Sequence, residues 1–181
     1  MAAAASCCHD GVRQANGGRE PDGGTGPGRC HRPADAGPFA RNWAELVQDV
    51  RAVPVFFLNW PSREAPATQP RLNAAYFGIA KEAEARVAGI GLAWDRVREE
   101  LPGLDLYAAD GVNPSPAGTY LTACTLYAAI FGKSPEGAPA KLGGRPFDNA
   151  TGKVTSESVQ ILVDLPAEQA RALQRAAWEV K

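Results

Sequence analysis

Thirty-eight residues pass before this chain carries its first Leu, Ile, Phe, Trp or Tyr, and no other feature constrains its fold as strongly. Ordering a residue costs roughly 1–2 kcal/mol of backbone entropy, and buried apolar side chains are the main offset. Gly, Pro, Arg and Ala dominate this head, with no period of two or of 3.6. Residues 1–38 are therefore expected to be a disordered Gly/Pro/Arg-rich segment. The folded unit is expected over residues 39–181, a length that suits one domain.

From Phe39 the pattern becomes globular. Phe39, Trp43, Leu46, Val47 and Val50 recur at helical spacing. Val53-Pro-Val-Phe-Phe-Leu-Asn59 is a short continuous apolar run ending in Trp60-Pro-Ser-Arg63, which predicts a buried parallel strand and then a loop. Leu72, Tyr76, Ile79, Ala83 and Val87 mark one face of a second helix, with Thr68 and Pro70 as start signals. Residues 87–90 read as a short strand. Residues 92–101 read as a third helix, stopped by Pro102-Gly103.

Ser115-Pro116 is an N-cap and first-turn pair. The helix it opens runs to about Phe131 and is apolar nearly all round, so burial on more than one side is expected. Residues 145–155 are turn-rich and read as a hairpin, 159–163 as a strand, and 166–180 as a helix with Glu168 in its first turn. Alternating strand and helix signals predict an α/β class with a parallel sheet.

The formal net charge is -1 and the pI about 6.1, so no nucleic-acid partner is expected. No apolar run approaches the ~20 residues of a membrane span, and no membrane association is expected. The start, Met1-Ala-Ala-Ala-Ala-Ser-Cys-Cys, lacks the basic and apolar regions of a secretory leader. Cys7, Cys8, His9, Cys30 and His31 hold metal-ligating atoms without the usual Cys-x2-4-Cys spacing. Neither a metal nor another cofactor is expected.

The segment Asp110-Gly-Val-Asn113-Pro-Ser-Pro resembles the last conserved block of the SGNH/GDSL hydrolases. That block is an Asp-x-x-His, in which the His is the general base and the Asp orients it. The resemblance covers residues 39–135 and is strongest over 53–135. It includes Leu58-Asn-Trp-Pro-Ser-Arg63, Ala88-Gly-Ile-Gly-Leu-Ala-Trp94, Gly118-Thr-Tyr-Leu-Thr-Ala123 and Phe131-Gly-Lys-Ser-Pro135. It implies an incomplete three-layer α/β/α, flavodoxin-like parallel sheet with its site at the carboxyl ends of the strands. No Gly-Asp-Ser nucleophile block and no Gly-x-Asn-Asp block occurs in the chain. Residues 39–181 are thus expected to be an SGNH hydrolase-like domain lacking its N-terminal strands.

The resemblance makes Asp110 and Asn113 the catalytic positions, and the chemistry then fails on residue type. Ester hydrolysis needs a nucleophile and a base that titrates near neutrality. The amide of Asn113 donates and accepts hydrogen bonds but takes no proton at neutral pH. His9 and His31, the remaining base candidates, lie in the head with nothing to orient them. Ser115 reads as a cap, and Ser62 has no visible base. Trp60 and Arg63, in the loop after the strand, are the candidate substrate contacts, for an apolar or sugar face and for a carboxylate or sugar hydroxyl. The rival reading makes Trp60 core and Arg63 solvated.

The expected function is thus that of an inactive relative of serine esterases acting on acyl esters, including carbohydrate-linked ones. The expected ligand is a small ester or carbohydrate. The alternatives are a non-catalytic α/β binding module and a truncated gene-model fragment. Self-association through an exposed sheet edge is expected if central strands are absent.

Overall fold

The structure, a computed structural model, describes residues 37–148 and 150–181. The expectation for residues 1–36 lies outside them. The first helix, α1 (Gly37–Asp49), begins two residues before the expected boundary, so Gly37 and Pro38 belong to the fold.

A short loop leads to β1 (Val55–Phe57), which pairs in parallel with β2 (Arg86–Ala88) in the register Val55↔Arg86, Phe56↔Val87 and Phe57↔Ala88. Parallel strands need a crossover. It consists of a 3-10 turn, Pro66–Thr68, and α2 (Gln69–Glu82). Val87, expected on the helix face, is instead in β2, because the helix stops at Glu82. Leu58 N–H donates to Ala88 O at 3.0 Å and Gly91 N–H to Leu58 O at 2.9 Å, which ties the strand end to the next helix.

The apolar run at 53–59 is more exposed than a buried central strand would be. Leu58 is fully buried, but Val53 and Val55 are exposed and Phe56 and Phe57 only half-buried. The pair is a complete two-stranded sheet among the described residues. One edge of β1 therefore has no neighbouring strand, and its side chains stay partly in water.

The core lies among α3 (Ile90–Glu100), α4 (Pro116–Phe131) and α5 (Ala167–Glu179). Trp94, Val97, Leu121 and Leu173 meet there, all essentially sealed from solvent. Ser115 caps α4, its Oγ accepting from Gly118 N–H at 3.1 Å. Gly132 ends the helix with φ 63°. Burial holds for Ala117, Gly118, Tyr120, Leu121, Cys124, Thr125 and Ala128, but not all round the helix, since Tyr127, Ile130 and Phe131 are exposed. Cys124 sits on the buried side, and burial pushes its thiol up to about 11, so it is no nucleophile at neutral pH.

The hairpin expected at 145–155 is larger than that segment. Its strands are β3 (Lys141–Gly144) and β4 (Gln160–Asp164), antiparallel, with a register shift between Leu142 and Gly143. The bridge Phe147↔Val154 lies inside the connection. The class is mixed α/β, but the single parallel sheet expected is replaced, among the described residues, by one parallel and one antiparallel pair. No helix of the described residues is long and apolar enough to cross a membrane.

Candidate functional site

Residues 105–115 leave the core after α3 and return to it at α4. Leu106 and Tyr107 are buried and anchor the way out. The antiparallel bridge Tyr107↔Pro114 and Ala108 N–H donating to Asn113 O at 2.7 Å close the base of a loop. Asp110 and Asn113 are at its exposed tip.

Asp110 organises that tip. Its Oδ1 accepts from the backbone N–H groups of Val112 and Asn113, each at 2.9 Å. This is the turn an Asp side chain makes with its own backbone. Its Oδ2 accepts from Asn113 Nδ2 at 2.6 Å. The carboxylate thus holds an amide N–H as it would hold an imidazole N–H. The chemistry stops there, since the far side of an imidazole is a nitrogen that binds a proton and the far side of this amide is a carbonyl oxygen.

Trp60 and Arg63 reach the same loop from the carboxyl end of β1. The Trp60 ring stacks on Trp94, with centroids 4.1 Å apart and planes 3° from parallel. Its Nε1 donates to Val112 O at 3.0 Å. Arg63 N–H donates to Gly111 O at 2.8 Å. Its Nη2 donates to both carboxylate oxygens of Asp105 at 3.0 and 2.9 Å, and its guanidinium lies 5.3 Å over the Tyr107 ring. This pair is exposed, and a surface ion pair contributes about 0–1 kcal/mol. Its role is to hold the loop in register.

Tyr107 completes the clasp, its hydroxyl donating to Pro61 O at 2.9 Å. Burial, first among the causes, raises its phenol above the usual range, so it remains a donor. All four residues expected from the sequence are therefore brought together. Asp105, Tyr107 and Trp94 are the partners that sequence reasoning missed. The one local signal for Asp105 is a charge set between two leucines in Leu104-Asp-Leu106.

Neither serine near the tip is poised for attack. Ser115 Oγ donates to Asp105 O at 2.8 Å and serves as the α4 cap. Ser62 is half-buried in the loop after β1. His9, His31, Cys7, Cys8 and Cys30 lie outside the described residues. Among the described residues no group of three or more His, Cys, Asp or Glu could hold a metal ion. An open groove of about 550 Å³ between α1 and α2 is lined by Arg41, Arg71, Ile79 and Glu82 and by none of the four site residues. No family model, no curated protein and no solved structure matches the chain.

Proposed function

We propose that this chain is an SGNH hydrolase-like α/β domain, related to serine esterases acting on acyl esters, that does not hydrolyse esters as it stands. In this reading β1 and β2 belong to a flavodoxin-like parallel sheet, and 110–113 is the base-bearing block with an amide in place of the base. Trp60 and Arg63 act as positioning side chains for that block. The observation that carries the reading is the 2.6 Å hydrogen bond from Asn113 Nδ2 to Asp110 Oδ2. It keeps the orienting half of an acid–base pair and removes the half that moves a proton.

Hydrolysis of p-nitrophenyl acetate and of acetylated oligosaccharides by the purified chain tests it. Release of acetate is expected to stay at the blank rate at neutral pH. Asn113→His is expected to leave it there, because a general base contributes about 10²–10⁴-fold only to a nucleophile already in place. Turnover by the unaltered chain that Asp110→Ala abolishes would overturn the reading.

A further inference from the structure

Asp110 is exposed at the loop tip and is followed by Gly111. An aspartate in front of a glycine has a covalent chemistry of its own. The glycine nitrogen can attack the side-chain carboxyl carbon, because no Cβ on glycine crowds the approach. An N–C bond forms, the carboxyl loses its OH, and that OH leaves with the amide proton as water. The product is a five-membered succinimide. Water then opens the ring. Opening at the side-chain carbonyl restores aspartate. Opening at the main-chain carbonyl gives isoaspartate, with the chain routed through Cβ and Cγ and no net change in composition.

The tip holds the reacting atoms apart. The Asp110 carboxylate reaches past Gly111, its Oδ1 accepting from the N–H groups of Val112 and Asn113 and its Oδ2 from Asn113 Nδ2 at 2.6 Å. The nitrogen that would attack is engaged as well, Gly111 N–H donating to Ala108 O at 3.0 Å. Gly111 has φ 69°, in the left-handed region that favours glycine. The residue type that suits this turn is therefore also the one that leaves Asp110 open to attack. Cyclisation has to free Oδ2 from the Asn113 amide, swing the carboxyl carbon back onto Gly111 N, and release Ala108 O. Among these holds the Asn113 amide alone is a side chain, so it alone can be removed without touching the backbone.

We propose that Asp110-Gly111 is a site of isoaspartate formation, and that the Asn113 amide holds the reaction off in the folded chain. Isoaspartate at this position adds a methylene to the backbone and moves the carboxylate onto Cα. The N–H groups of Val112 and Asn113 then lose their acceptor, and the tip comes apart. Nothing in this chemistry depends on an esterase ancestry for residues 110–113.

Peptide mapping of the full chain, aged for weeks at neutral pH and labelled by isoaspartyl methyltransferase, tests this. Asp10-Gly11 and Asp22-Gly23, the other Asp-Gly pairs of the chain, are the internal references. Isoaspartate at position 110 is expected to build up slowly in the unaltered chain. Asn113→Ala is expected to speed it about tenfold, the factor carried by one hydrogen bond to a charged group. Far-ultraviolet circular dichroism and the two reference rates are expected to stay unchanged, since Asn113 is exposed. Unfolding in urea frees every hold and is expected to speed it further. Asp110→Glu is expected to abolish the signal at this position, because a glutamate closes a six-membered ring far more slowly. Equal rates in the unaltered chain and in Asn113→Ala would overturn the proposal. So would an absence of isoaspartate at position 110 in the urea-unfolded chain. A rise of the same size with Arg63→Ala, which leaves the Asn113 amide in place, would assign the protection to loop packing and overturn it equally.

Discussion

Trp94→Ala is expected to lower the unfolding free energy by about 3–5 kcal/mol, read as a lower urea midpoint with little change in slope. Trp94 is completely buried on α3. One face carries Trp60, its ring lies 4.7 Å from that of Tyr107 in an edge-on contact, and α4 crosses beside it at Gly118. Truncation opens a cavity bounded by three elements that cannot collapse together, which puts the cost at the upper end for large-to-small changes. The same change frees Trp60, whose Nε1 holds the Asp110 loop at Val112. Trp60→Ala is expected to couple with it by about 0.5–1.5 kcal/mol in a double-mutant cycle. Trp94 Nε1 has no hydrogen-bond partner among the described residues. Trp94→Phe, which keeps a ring and drops that buried donor, is therefore expected to recover most of the loss.

Gly118→Ala is expected to cost about 3 kcal/mol, although it adds one methyl group to a helix. A Cβ at this position would stand 2.8 Å from Trp94 Cζ2 and closer still to the Leu106 carbonyl oxygen. Backbone cannot swing aside as a flexible side chain does, so α4 must shift away from 105–107. That shift strains Ser115 N–H donating to Leu106 O at 2.8 Å and the Ser115 cap on Gly118. Overpacking of this kind costs typically about 1–3 kcal/mol, and a clash with backbone belongs at the top of the range. Gly78→Ala is the matched control. Its Cβ would meet nothing within 4 Å, and on α2 it is expected to stabilise by about 0.5–1 kcal/mol. Thermal unfolding of the two variants side by side checks both signs.

Local chemistry made several elements legible. Ser115-Pro116 marked the start of α4 because a hydroxyl cap and a proline without an N–H both suit a first turn. The run at 53–59 marked a parallel strand, and β1 is parallel. The helix at 39–50 was legible as a helix, but its orientation was not. Periodicity shows that an apolar face exists, and only packing decides whether it turns inward. β3 was invisible because Lys141-Leu-Gly-Gly144 has no alternation and two residues that weaken strands. At the candidate site the loop motif gave away Asp110 and Asn113, and the strand end pointed to Trp60 and Arg63. The clasp between them was not legible, since Arg63 meets Asp105 across 42 residues and such a contact leaves no local pattern.

The proposed function places Asp110 where it would orient a base and Asn113 in the place of that base. The most direct measurement is an NMR titration of the imidazole introduced by Asn113→His, with His9 and His31 of the same chain as reference signals. A carboxylate within hydrogen-bond reach favours the imidazolium, so the new imidazole is expected to titrate above the ordinary value of about 6.5. Adding Asp110→Asn is expected to return it to that value. An imidazole that titrates at the ordinary value, and is indifferent to Asp110→Asn, would contradict the account and leave residues 110–113 as a turn and nothing more.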